Sequence, residues 1–104
     1  MGSCFTSFNG LPAEEIENSI HVRTLSAGTV QLRQMVFEPG TLIPDHRHPE
    51  EVVTIVLEGT MEMTVGDETR KVLAGDVFRV PPETDHSGRV FSERVVAVSW
   101  SPIQ

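Results

Sequence analysis

Apolar residues along this chain come in short runs rich in Val, Ile, Thr and Phe, and glycine or proline interrupts them at close intervals. The interruptions fall at Asn9-Gly10, Ala27-Gly28, Pro39-Gly40, Gly59, Gly66-Asp67, Gly75-Asp76, Pro81-Pro82 and Gly88. Short β-branched segments separated by turn residues predict an all-β sandwich or barrel. Residues 19–26 and 29–38 flank Ala27-Gly28 as a hairpin. Residues 52–73 read as a meander with turns at Glu58-Gly59 and Gly66-Asp67, and residues 76–81 and 94–100 supply the last strands. The one helical signal lies in residues 11–19, where Pro12 opens an acidic first turn, and it supports one or two turns at most. The expected organisation is an N-terminal arm with this short helix over residues 1–18 and a single β-barrel domain over 19–104.

The segment from Val52 to Leu57 departs from simple alternation. Val52, Thr54 and Val56 share one face, and Val53, Ile55 and Leu57 share the other. A strand with one solvated face would alternate apolar and polar residues, so this one predicts burial on both sides. One face fills the barrel; a second copy of the chain, in a homodimer, is the simplest cover for the other.

Composition narrows the function. With 104 residues the chain forms one domain. Hydrophobic residues at 38% and charged residues at 22% describe an ordinary globular protein. The formal charge of −7 repels a phosphate backbone, with no basic cluster to offset it, which argues against nucleic acid as a partner. No apolar run is long enough to cross a bilayer, and no signal-like n- and h-region opens the chain. The opening residues Met1 to Thr6 do fit the short myristoylation pattern, with Cys4 as a second acyl position, but so short a pattern recurs by chance. A single cysteine cannot form an intrachain disulfide, and a reducing cytoplasm is the expected location.

The candidate chemistry lies in histidine. His46 and His48 are one residue apart beside a β-branched run, and on a regular strand they would project to the same side. Two converging imidazoles make half of a site for Zn, Fe, Ni or Mn. Such a pair alone carries little weight, because histidine pairs near turns are common. The sequence adds His86, in a stretch where Gly75 leads a short strand into Pro81-Pro82 and then to histidine.

These residues resemble the cupins. Gly40, His46, His48 and Gly59 fall at the spacing of the first cupin motif, and Gly75, Pro81 and His86 at that of the second. The resemblance is close from Val36 to His86. It implies a double-stranded β-helix, the cupin-type jelly-roll barrel, with a divalent metal at one end of its interior. It makes His46, His48 and His86 the metal ligands.

Three departures from the pattern bear on the chemistry. The family's glutamate position holds Val52, which cannot bind a metal. Glu51 precedes it and should face the opposite way unless a β-bulge turns it inward. Glu83 and Val90 replace the usual glycine and asparagine of the second motif. Three neutral histidines leave a divalent ion its full charge, which favours a small anionic organic ligand in a pocket lined by Val52, Thr54 and Met63, with Val56 and Met61 beyond. The methionines read equally well as core filler. His21 has no such company and reads as structural. Three readings follow: a mononuclear metal enzyme of dioxygenase, isomerase or lyase type acting on a small anionic substrate, a non-catalytic metal or small-molecule binding and sensing module, or a relic barrel that keeps the fold without the metal.

Overall fold

In a computed structural model, residues 3–16 and 19–103 are described. The strands are β1 (Glu14–Ile16), β2 (Ile20–Ser26), β3 (Val30–Phe37), β4 (Leu42–His46), β5 (Val52–Glu58), β6 (Thr60–Val65), β7 (Glu68–Leu73), β8 (Val77–Val80), β9 (His86–Val90) and β10 (Val95–Pro102). They pair antiparallel into two sheets, β1-β2-β3-β10-β5-β8 and β4-β9-β6-β7. This is the jelly-roll architecture expected from the sequence. The β2–β3 hairpin turns at Ala27-Gly28, where the Ala27 amide donates to the Val30 carbonyl at 2.8 Å. The β6–β7 hairpin turns at Gly66, whose positive φ of 59° suits a residue without a side chain.

Two expectations need correction. Residues 52–73 are not one meander, because β5 and β6 belong to different sheets. Both edges of β5 are already taken, by β10 and β8, so the backbone groups of β6 must pair elsewhere. The chain crosses between the sheets at Gly59, where φ is 83° and a Cβ would come within 2.5 Å of the Arg94 carbonyl oxygen. The second correction concerns the helix. Glu14–Ile16 is extended and pairs with β2, and the only helical turn among the described residues is a 3-10 turn at Phe8–Gly10. A one- or two-turn helix is marginal in isolation, whereas the β2 edge offers unpaired backbone groups to a short strand. Glu17 and Asn18 of that stretch, like Met1 and Gly2 of the acylation-like opening, lie outside the described residues.

The interior is divided along the strands. At one end Val56, Val95 and Ala97 are fully excluded from solvent, and Met61, Phe37, Ile20, Val72 and Val90 pack around them. The same inward faces turn polar further along. Thr54 on β5 and Ser99 and Ser101 on β10 are buried, with Thr54 Oγ1 and Ser99 Oγ hydrogen-bonded at 2.8 Å. On the outer face of the six-stranded sheet, Ile55 and Leu57 are 37% and 49% exposed, beside exposed Val77 on β8 and Trp100 on β10. The described residues do not cover that face.

Candidate metal centre

The three histidines come from three places and meet at the polar end of the barrel, where His86 is buried, His48 half-buried and His46 exposed. His46 closes β4 and His86 opens β9, directly opposite each other across an irregularity in the pairing that follows Ile43. His48 is not on the strand. The chain leaves β4 after His46, and His48 lies in the loop to β5, so convergence comes from the turn and not from strand alternation. The ring centroids of His46 and His86 are 4.0 Å apart, those of His48 and His86 4.7 Å, and those of His46 and His48 5.9 Å. Their ligand nitrogens all lie within 4.8 Å of one another.

One feature repeats at all three rings. His46 Nδ1 meets the Pro44 carbonyl at 2.8 Å, His48 Nδ1 the Glu50 carbonyl at 3.0 Å, and His86 Nδ1 the Thr84 carbonyl at 2.9 Å. A carbonyl oxygen can only accept, so each Nδ1 carries the hydrogen, and in the neutral ring each Nε2 keeps its lone pair. This is the tautomer that a metal-binding histidine needs. Burial, aided by the fields of His46 and His48, lowers the His86 pKa, which favours the neutral ring. The donor set therefore fits a divalent cation of the kind imidazole binds.

The surroundings fix these rings in place. Arg47 Nε donates to Asp85 Oδ1 at 2.8 Å, joining the residue after His46 to the residue before His86. Glu83 has the only positive φ among described non-glycine residues, 58°, at the position where the cupin motif has glycine. Its amide donates to the His48 carbonyl at 2.9 Å, tying that histidine to the β8–β9 loop. Gly88 sits two residues past His86 on the inner face of β9; a Cβ there would collide with the Met63 sulfur. Glu51 does not reach the histidines, since it accepts from Arg79 Nη1 at 2.8 Å on the other side of the strand. His21 pairs with Glu38 at 3.2 Å, away from the cluster.

Of the residues expected to line a pocket, Thr54 is buried on the inner face of β5, Val52 begins that face, and Met63 is buried on β6. A cavity of about 620 Å³ opens between the β7 and β8 edges, with Met63, Val65, Phe78, Pro81 and Thr84 in its wall. Val65 is the register partner of His86. Sequence reasoning missed the polar residues that β10 and β3 bring to this end: Ser99, Ser101 and Gln31, whose Nε2 donates to Ser101 Oγ at 3.3 Å. The signal was available, because Ser99 and Ser101 continue the inward phase of Val95 and Ala97.

The model of the cupin domain matches residues 33–100, about two-thirds of the chain. The chain belongs to the cupin family. Among curated proteins it is similar to the H2HPP isomerase of Bacillus subtilis, 30% identical over 76 residues, which cover 72% of this cupin and 32% of the isomerase. The chain thus spans about a third of that relative. Among solved structures, the polyketide cyclase RemF from Streptomyces resistomycificus superposes with a TM-score of 0.87 at 20% identity, over 99% of this chain and 81% of that one. An RmlC-like cupin from Shewanella frigidimarina gives 0.86 at 23% identity, over 99% and 94%. At these identities the likeness speaks for the fold.

Proposed function

We propose that this cupin binds one divalent metal ion, Fe, Zn, Ni or Mn, through Nε2 of His46, His48 and His86, and that it acts as a small metal enzyme of dioxygenase, isomerase or lyase type on a small anionic organic substrate. The observation that supports this is the repeated Nδ1–carbonyl contact, which leaves Nε2 of each ring with its lone pair in a cluster of three histidines. A bound ion would supply Lewis acidity, and iron would add the capacity to hold dioxygen. The chain's own part is to hold three neutral imidazoles, to keep carboxylates out of the ligand set and to wall the site with hydroxyls and apolar groups. A similar protein that is an isomerase by name supports the enzymatic reading.

The alternative is a metal or small-molecule binding and sensing module without turnover. It is favoured by the lack of a general base: the Thr54 and Ser99 hydroxyls bond each other and have no basic partner. The exposed Ile55, Leu57, Val77 and Trp100 face supports a homodimer, with the Arg79–Glu51 pair at its rim. The exposed free thiol of Cys4 suits a reducing cytoplasm. Among the described residues no helix is long and apolar enough to cross a membrane.

Elemental analysis of protein purified without added metal tests the core of this reading. About one metal per chain is expected for the wild type and for Glu51→Ala, and a large loss for His48→Ala. Metal-free wild type that also takes up none of the four ions on reconstitution would overturn it. For the dimer, Ile55→Glu is expected to shift the mass measured by light scattering from two chains to one.

A further inference from the structure

We infer that the outer face of the six-stranded sheet carries a second binding site, in which Arg23 and Arg94 together hold a small oxyanion, a carboxylate or phosphate group, beside the N-terminal arm. The site lies on the opposite face of the sheet from the barrel interior, so it stands whether or not the histidines bind a metal.

The first observation is a cavity of about 270 Å³ lined by Ala13, His21, Arg23, Gln34, Val36 and Arg94. Four of these form a register-paired block, with His21 opposite Val36 and Arg23 opposite Gln34. Their chain neighbours Ile20, Val22, Met35 and Phe37 belong to the core or pack against it, so the block faces outward. Ala13, just before β1, and Arg94, in the turn between β9 and β10, complete the wall. Two guanidinium groups, an imidazole and a carboxamide thus border one space, just under the usual size of a small-molecule pocket. In a chain of formal charge −7, no acidic residue is part of that lining. Glu38 and Glu58, which pair with His21 and Arg94, stand outside it.

The second observation is how loosely these two arginines are held. Arg47, Arg70, Arg79 and Arg89 grip their carboxylates at 2.8 to 3.1 Å. Arg94 meets Glu58 only at 3.5 Å, and both side chains are exposed, so the pair contributes little. Arg23 has no carboxylate partner among the described residues, and its Nη1 reaches Gln34 Oε1 at 3.5 Å. Its Nε is the one buried side-chain nitrogen or oxygen among them without a hydrogen-bond partner. An unmet donor on a charged group is costly. A small turn of the guanidinium onto an oxyanion in the cavity would supply the missing acceptor. Guanidinium suits that ligand, because its parallel N–H donors match two oxygens of a carboxylate or phosphate.

The test is proton–nitrogen correlation NMR of the full chain, read at the backbone amides and the arginine Nε–H groups, while sodium phosphate or sodium acetate replaces sodium chloride at constant ionic strength. The Arg23 and Arg94 Nε–H signals and the amides of His21 and Gln34 should shift together along saturating curves with one or both anions. Arg23→Gln and Arg94→Gln should each weaken binding about tenfold, as expected for a hydrogen bond to a charged group. Arg23→Lys should recover part of the loss, and His48→Ala should bind as the wild type does. Saturation by phosphate alone would mark the ligand as a phosphate compound, and by acetate alone as an organic acid. Should Arg23→Gln fail to fold, Arg94→Gln decides, since it changes an exposed side chain. Non-saturating shifts spread over the exposed arginines, or an affinity unmoved in a folded Gln variant, would overturn the site.

Discussion

The two ends of the barrel interior are built from the same strands and differ in kind. At the end lined by Val56, Met61, Val95 and Ala97 solvent is excluded, and the one buried hydroxyl beside it, that of Thr41, is spent on the Glu38 carbonyl. At the other end the inward positions of those strands carry Thr54, Ser99 and Ser101, and the facing sheet brings His46 and His86. One end holds the sheets together and the other gathers the polar groups. The division lets a 104-residue chain carry a polar site without giving up its core, because the groups that burial penalises are gathered where hydrogen-bond partners and a cation can satisfy them.

The largest predicted effect belongs to the apolar end. Met61→Ala removes a side chain that is 1% exposed and should cost about 2–5 kcal/mol, read from denaturant unfolding. If folded, the variant should bind metal as the wild type does; loss of metal at full folding would show that the ends are coupled. At the polar end, Thr54→Val keeps the shape but leaves the Ser99 hydroxyl without its partner, a loss of about 1–3 kcal/mol by the same measurement. Glu83→Gly works in the other direction. It relieves a side chain held at φ 58° and should add about 1 kcal/mol, with the gain reduced by glycine's greater freedom when unfolded. No gain would mean that the Glu83 side chain contributes what its backbone costs.

A pH series sharpens the contrast in the metal-free protein. The folded His86 binds a proton less readily than the unfolded chain does, through burial and the neighbouring histidines. Below the ordinary imidazole value of about 6.5 the unfolded state takes up the proton first, so stability should fall as pH falls and should be fully retained above it. Asp85, held below its usual value chiefly by its hydrogen bond from Arg47, adds a loss of the same sign only in the carboxylate range. His86→Gln should flatten the urea midpoint between pH 7.5 and 5.5; an unchanged slope would place the sensitivity elsewhere.

Much of this was legible in the sequence. Turn residues marked the hairpins at Ala27-Gly28 and Gly66-Asp67, and motif spacing brought out His46, His48 and His86. What stayed hidden was non-local. That β5 and β6 lie in different sheets depends on β8 and β10 claiming both edges of β5, which no local pattern records. The Thr54–Ser99 and Gln31–Ser101 bonds join residues 45 and 70 apart in sequence. The helical reading of the stretch after Pro12 failed for a related reason: local propensity favoured a helix, and an open strand edge decided otherwise. His48 was found for an incomplete reason, since the strand ends before it and the loop delivers the ring.

The contacts that hold each Nδ1 go to main-chain oxygen only two residues away. Ligand aim is therefore written into the path of the backbone and owes little to which side chains stand nearby. Walls of such a chamber can be replaced one by one while the histidine apex stays intact, so a single scaffold of this kind is open to acquiring new ligands through changes to its lining alone.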